Sequence, residues 1–231
     1  MPRVSSENVL FPYRVLQEVD YKEALELQRK LVEEVYDRDI PGIFLLLEHP
    51  PVITMGRRAK EEHLLYPREV LVQRGVEVYE VERGGDVTYH GPGQIVGYPI
   101  VNLRFWQRDV HAFLRNLEEL LIRFLKIFGI AAFRFPPYTG VWVKEGSPKK
   151  IAAIGVAVRH WVTFHGFALN VCDDLSPFQY IVPCGIRGFE VTSLQEVLGK
   201  KFGKKDLEDM KYLLAREFGE VFGFSMEESH G

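Results

Sequence analysis

Hydrophobic and polar positions repeat with two different periods along this chain, and each change of period marks an element. In DYKEALELQRKLVEEVY (20–36), Leu25, Leu31, Val32 and Val35 fall on one side of a 3.6-residue repeat, predicting an amphipathic helix. Asp20 is placed to cap it, with Glu23 at the capping-box position. The continuous apolar run GIFLLLEHP (42–50) predicts a buried strand stopped by a Pro-Pro break, and VEVYEVE (76–82) alternates as a half-exposed strand ending at Gly84-Gly85. QIVGYPIVNL (94–103) is again strand-like. From about Asp109 to Phe128 the helical period returns, with Leu114, Leu117, Leu121, Phe124, Leu125 and Phe128 on one face and Gly129 as the stop. Strands are expected at 130–135, 139–144, 151–158 and 162–171, the last two as a hairpin about Arg159-His160-Trp161. A short helix at 193–198 and a longer one at 205–222 close the pattern. Strands gathered in the middle, with helices between and after them, predict an α/β or α+β sheet under helical cover.

Composition narrows this to a class. The 231 residues are 46% hydrophobic and 26% charged, as in ordinary globular proteins, and show no repeat, low-complexity tract or linker. IFLLL (43–47) and IAAIGVAV (151–158) are far shorter than the ~18 apolar residues of a membrane span. The stretch MPRVSSENVLFPYRV lacks the apolar core and cleavage site of a secretory signal. Two cysteines twelve positions apart form no disulfide framework, so reduced thiols and a cytoplasmic location are expected. A net charge of −3 argues against a general nucleic-acid binder. GKKFGKK (199–205) is a local exception, either a solvated loop or a docking point for an acidic protein.

Three segments carry more than packing needs. RGGDVTYHGPGQ (83–94) places four glycines around Thr88, Tyr89 and His90, with Arg83 at its start; it fits neither the Walker A nor the dinucleotide glycine pattern. In KKIAAIGVAV, Lys150 shares its alternation class with Ala152 and Ile154 while Lys149 falls in the other, so only one of the two faces a given pocket. In FHGFALNVCDDLSPF, His165-Gly166 interrupts an apolar strand, and Cys172 lies beside Asp173 and Asp174, whose charge would raise a thiol pKa. Cys184, in IVPCGI, has no acidic neighbour within five residues, which makes it the better nucleophile candidate of the two, with an inert buried thiol as the alternative. A Cys-His pair through His90 or His165 stays open on these grounds. The scattered histidines show no zinc pattern, and no G-x-S-x-G elbow is present.

Taken together, EHPPVITMGRR (48–58), RGGDVTYHGPGQIVGYPI (83–100), KIAAIGV (150–156), HGFALNV (165–171) and PCGI followed by VTSL (183–194) resemble the lipoyl(octanoyl) transferases of lipoate biosynthesis, in order and spacing across about 42–198. The resemblance implies a mixed sheet flanked by helices, similar to the catalytic domain of biotin and lipoate ligases. The whole chain is then one catalytic domain, with a helical C-terminal segment at about 199–226. It implies transfer of octanoyl from acyl carrier protein to a lysine of lipoyl domains, those of the E2 subunits of 2-oxo-acid dehydrogenases and the H protein of glycine cleavage. Carried over by motif, Cys184 is the nucleophile and Lys150 its partner. The substrate pocket is lined by Arg83, Gly84, Gly85, Asp86, Val87, Thr88, Tyr89 and His90, by Ala153, Ile154 and Gly155, and by Gly166, Phe167 and Ala168. No cofactor or metal is implied. The rivals are an ATP-dependent lipoate or biotin ligase, in which Cys184 is incidental, and a non-catalytic lipid- or protein-binding module.

Overall fold

The computed structural model describes residues 9–182 and 190–229. Among them are strands β1 (Val9–Glu18), β2 (Gly42–Glu48), β3 (Val52–Met55), β4 (Glu77–Glu80), β5 (Val87–His90), β6 (Gln94–Val101), β7 (Ala132–Phe135), β8 (Tyr138–Glu145), β9 (Ser147–Arg159), β10 (Val162–Asn170), β11 (Glu190–Val191) and β12 (Phe224–Glu228). The helices are α1 (Tyr21–Asp37), α2 (Arg68–Gln73), α3 (Val110–Ile127), α4 (Leu194–Leu198) and α5 (Lys204–Phe222). The larger sheet runs β12-β1-β2-β6-β10-β9-β8-β7, with β11 beside β9; the smaller is β4-β3-β5. β1 pairs in parallel with β12 and β2, whereas β2 through β8 are antiparallel across β6, β10 and β9, so the sheet is mixed.

Strand β2 shows why its sequence is apolar throughout. Phe44 and Leu46 face a core built with Phe113, Phe124 and Phe218 of α3 and α5, while Ile43, Leu45 and Leu47 face Leu31, Val32 and Val35 of α1. Both faces are covered, so period-two alternation has no polar side to show. Asp20 caps α1 by accepting the amides of Lys22 and Glu23 at 2.8 and 3.2 Å. The predicted hairpin is present: Arg159 pairs with Val162, and His160 and Trp161 both take positive φ, the sign pattern of a two-residue type I′ loop.

Several elements depart from the sequence reading. β1, β3, β5, α2 and β12 were not expected, and the strand within 76–82 covers only 77–80. The segment 199–226 is not helical to its end: Gly223, at φ +76, terminates α5, and the chain returns as β12 along the open side of β1. Among the described residues, no helix is long and apolar enough to cross a membrane.

Candidate active site

The loop 83–86 and strands β5, β9 and β10 enclose a cavity of about 580 Å³. Its wall contains Arg83, Gly84, Gly85, Asp86, Val87, Thr88 and His90, then Lys150, Ala153, Ile154 and Gly155, then Gly166, Phe167 and Ala168. Three segments far apart in sequence therefore converge on one cavity. Tyr89 does not join them. It packs against Phe178, with ring centroids 5.6 Å apart, in the small core under the second sheet. Cys184 lies outside the described residues, within 183–189.

The fold separates the two lysines. Lys149 lies 3.2 Å from Glu190 and is the wetter of the pair, whereas Lys150 is buried, lines the cavity and holds its ammonium 5.4 Å from the Trp142 ring centre. Register explains the difference. Val141 opposes Ala152 but Trp142 opposes Lys150, so Ile151 is an extra residue on β9, a bulge of the kind that re-aims neighbouring side chains. Space for the lysine stem comes from Gly140, where a Cβ would lie 2.7 Å from Lys150 Cε. Gly140 is itself pinned, its amide donating at 3.1 Å to Glu118, a fully buried carboxylate that also accepts from Arg115 and Arg134.

The described residues that flank the segment 183–189 on either side lie close to the cavity wall. Before it, Val182 donates to the carbonyl of His63, whose ring is 2.6 Å from Asp86 of the cavity wall. After it, Val191 pairs with Lys150, and the Thr192 amide donates to the Lys150 carbonyl at 3.0 Å.

Arg83 is buried and donates through Nη2 to Thr54 O and Oγ1 at 2.7 and 2.8 Å. Tyr21, Tyr98 and His165 also line the cavity, with His49 behind them. Tyr21 lies outside the quoted motifs, and Tyr98, though inside 83–100, sits on a strand whose pattern reports only burial. Tyr98 donates to His49 Nε2 at 2.7 Å, since His49 Nδ1 is committed as a donor to the Val19 carbonyl at 2.7 Å. Burial pushes His49 down to about 4 and His90 to about 3, so both rings are neutral. Cys172 behaves as its acidic neighbours predict: burial, then Asp173, raises its thiol to about 11.

Asp173 is buried, and burial outweighs the nearby backbone groups and raises its carboxyl to about 7. This gives a prediction with a definite sign. The unfolded carboxyl ionises near 4, so the folded protein loses stability as pH rises from about 4 through 7 and the buried group must ionise. His49 and His90 act oppositely: unfolded histidine takes up protons near 6.5, so their contribution is lost as pH falls from there toward 4 and 3. Asp173→Asn should therefore gain little at pH 4.5 and up to about 4 kcal/mol at pH 8, measured by urea unfolding. A gain independent of pH would contradict this account.

Among the described residues no group of histidine, cysteine and acidic side chains is assembled to hold a metal. The mixed sheet and glycine-lined cavity define a class, and the chain belongs to it: the lipoyl protein ligase A/B catalytic domain family, whose model matches residues 20–219. Within that class it is 50% identical over 210 residues to the octanoyltransferase of Caldicellulosiruptor saccharolyticus, across 90% of this chain and 87% of that protein. It is 49% identical over 212 residues to the octanoyltransferase of a Thermoanaerobacter species, across 91% and 89%. Among solved structures, the bipartite lipoate protein ligase of Thermoplasma acidophilum superposes with a TM-score of 0.73 over 95% of this chain and 87% of that one. At 18% identity, that likeness is one of fold.

Proposed function

We propose that this chain is an octanoyltransferase of lipoate biosynthesis, moving octanoyl from acyl carrier protein through a Cys184 thioester to a lysine of lipoyl domains. The observation that carries the reading is the placement of Lys150: a buried ammonium on the wall of a glycine-lined cavity, directly across from the strand that leads out of the Cys184 segment. The 49–50% identity to octanoyltransferases over nine-tenths of the chain supports the same activity.

In the first step the Cys184 thiolate, stabilised by Lys150, attacks the carrier's thioester carbonyl. A new C–S bond forms, the carrier's C–S bond breaks, and Lys150 gives its proton to the departing thiolate. In the second step a lipoyl-domain lysine, having lost one proton to solvent, attacks as a neutral amine. The C–N bond forms, Cys184 leaves as thiolate, and Lys150 takes the amine's surplus proton, which restores the starting state. Exchanging one thioester for another is nearly isoenergetic, so neither ATP nor a metal is required. Apolar wall residues such as Val96, Leu114, Ile154 and Phe167 suit the acyl chain. Each buried methylene contributes about 0.8 kcal/mol, enough for a chain-length preference but not absolute selection.

In this reading the whole chain acts as one catalytic domain in the cytoplasm. The acceptors are the lipoyl domains of 2-oxo-acid dehydrogenase E2 subunits and the glycine cleavage H protein. Mixing the protein with octanoyl-acyl carrier protein and an apo lipoyl domain without ATP should octanoylate the domain. Mass spectrometry should find an octanoyl adduct on Cys184 when the acceptor is withheld. A strict ATP requirement with no adduct would favour the ligase reading instead.

A further inference from the structure

Two backbone carbonyls decide which nitrogen of His90 carries the proton. Gln94 of β6 and Asn170 of β10 face each other in the antiparallel ladder. Asn170 Nδ2 donates to the Thr192 carbonyl at 3.0 Å. Gln94 Nε2 donates to the Tyr89 carbonyl at 3.2 Å and to Asn170 Oδ1 at 2.9 Å. A carbonyl oxygen only accepts, so turning either amide over would set oxygen against oxygen. Gln94 Oε1 is therefore the atom 2.7 Å from His90 Nδ1, and Nδ1 donates to it. That leaves Nε2 a bare acceptor on a ring that lines the cavity, with no hydrogen bond to it among the described residues.

The relay also lies close to the lysine. A second cavity of about 20 Å³ is bordered by Thr88, Gln94, Asn170 and Lys150. Thr192, where the relay ends, donates its amide to the Lys150 carbonyl. The cationic groups of the main cavity, Arg58, Arg83 and Lys150, are donors suited to sulfur and oxygen anions. His90 supplies the opposite polarity. Burial holds its ring neutral, so it accepts a hydrogen bond at working pH but is too weak a base to keep an ammonium proton.

We propose that His90 Nε2 accepts an N–H of the lysine amine that attacks the octanoyl thioester, and that Gln94 and Asn170 are positioning residues that hold the ring in that tautomer. The proposal rests on the thioester reading above. Only the N–H that survives in the amide is held by His90, while the proton that departs goes to Lys150. The hydrogen bond thus fixes the rotation of the amine and aims its lone pair at the carbonyl.

Octanoyl-enzyme formed first and then mixed with an apo lipoyl domain lets acylation and transfer be timed separately by mass spectrometry. His90→Phe and Gln94→Met are expected to slow transfer about 10- to 100-fold more than they slow acylation, and His90→Gln, which returns an acceptor oxygen, to recover part of the loss. Nitrogen-15 NMR of the unmodified protein should show His90 protonated on Nδ1 alone, with Gln94→Met producing a mixture of tautomers. Equal losses in both steps, or a ring protonated on Nε2, would overturn the proposal. Absence of any octanoyl-enzyme would sink the thioester reading instead, and the NMR measurement would still decide the relay.

Discussion

Replacing Lys150 with alanine is expected to slow octanoyl transfer by about 10²- to 10⁴-fold, the range for loss of a positioned acid–base group. It should also raise the pH at which iodoacetamide alkylates Cys184 by about one to two units, because an opposite charge within a few ångströms favours the ionised thiol. The expectation follows from where the ammonium is held: buried on the cavity wall, beside the Trp142 face and in the gap that Gly140 leaves. Lys149 is the internal control. It is adjacent in sequence and equal in charge, yet it is paired with Glu190 and is not among the cavity-lining residues. Lys149→Ala should change rate and alkylation profile less than about threefold, as for an exposed ion pair. Equal effects at the two positions, or an alkylation profile unmoved by Lys150→Ala, would remove Lys150 from this role.

That contrast marks how far the sequence can be read. Alternation establishes that the two lysines point oppositely, but not which one faces the pocket. The outcome depends on the bulge at Ile151 and on a glycine from another strand, and neither leaves a local signal. Elements with a strong period were legible: α1, β2, α3, α5 and the β9–β10 hairpin each follow their pattern. The missed ones are short or interrupted. β1 contains Pro12, β3 and β5 span four residues beside prolines or glycines, and β12 follows directly on a helix stop. The site divides in the same way. The glycine cluster at 83–94 stands out on composition, whereas 153–155 and 166–168 were named only through the family resemblance. Tyr21 lies outside every motif and Tyr98 was not singled out within 83–100, because an aromatic at a core-facing position looks the same whether it meets a methyl group or a cavity. Tyr89 is the converse case, a residue inside a diagnostic motif whose side chain serves the small core.

Gly166→Ala is expected to have a large effect on the fold. Gly166 opposes Gly155 across the β10–β9 ladder and backs directly onto β6. A methyl group there would lie 2.1 Å from Gly97 O and 2.7 Å from Pro99 Cδ. A flexible side-chain tip could turn away, but a backbone oxygen in the middle of a sheet moves only if the strands separate. Overpacking typically costs 1–3 kcal/mol, and this rigid contact belongs at the upper end, about 3 kcal/mol. For a chain of this size that corresponds to a fall in Tm of about 6–12 °C. Gly84→Ala provides the comparison, because its added carbon would lie 3.4 Å from Val156 O, an ordinary contact, and should move Tm by less than about 2 °C. The damage at 166 should also reach the chemistry. His165, Gly166 and Phe167 form one wall of the cavity, so separating β10 from β6 shifts the surface that holds the acyl chain. Below its Tm, the variant should acylate Cys184 more slowly with octanoyl than with a shorter acyl donor, reversing any preference for the longer chain. Equal melting temperatures for the two alanine variants would show that the sheet can relax around Gly166 and that its glycine is not required for packing.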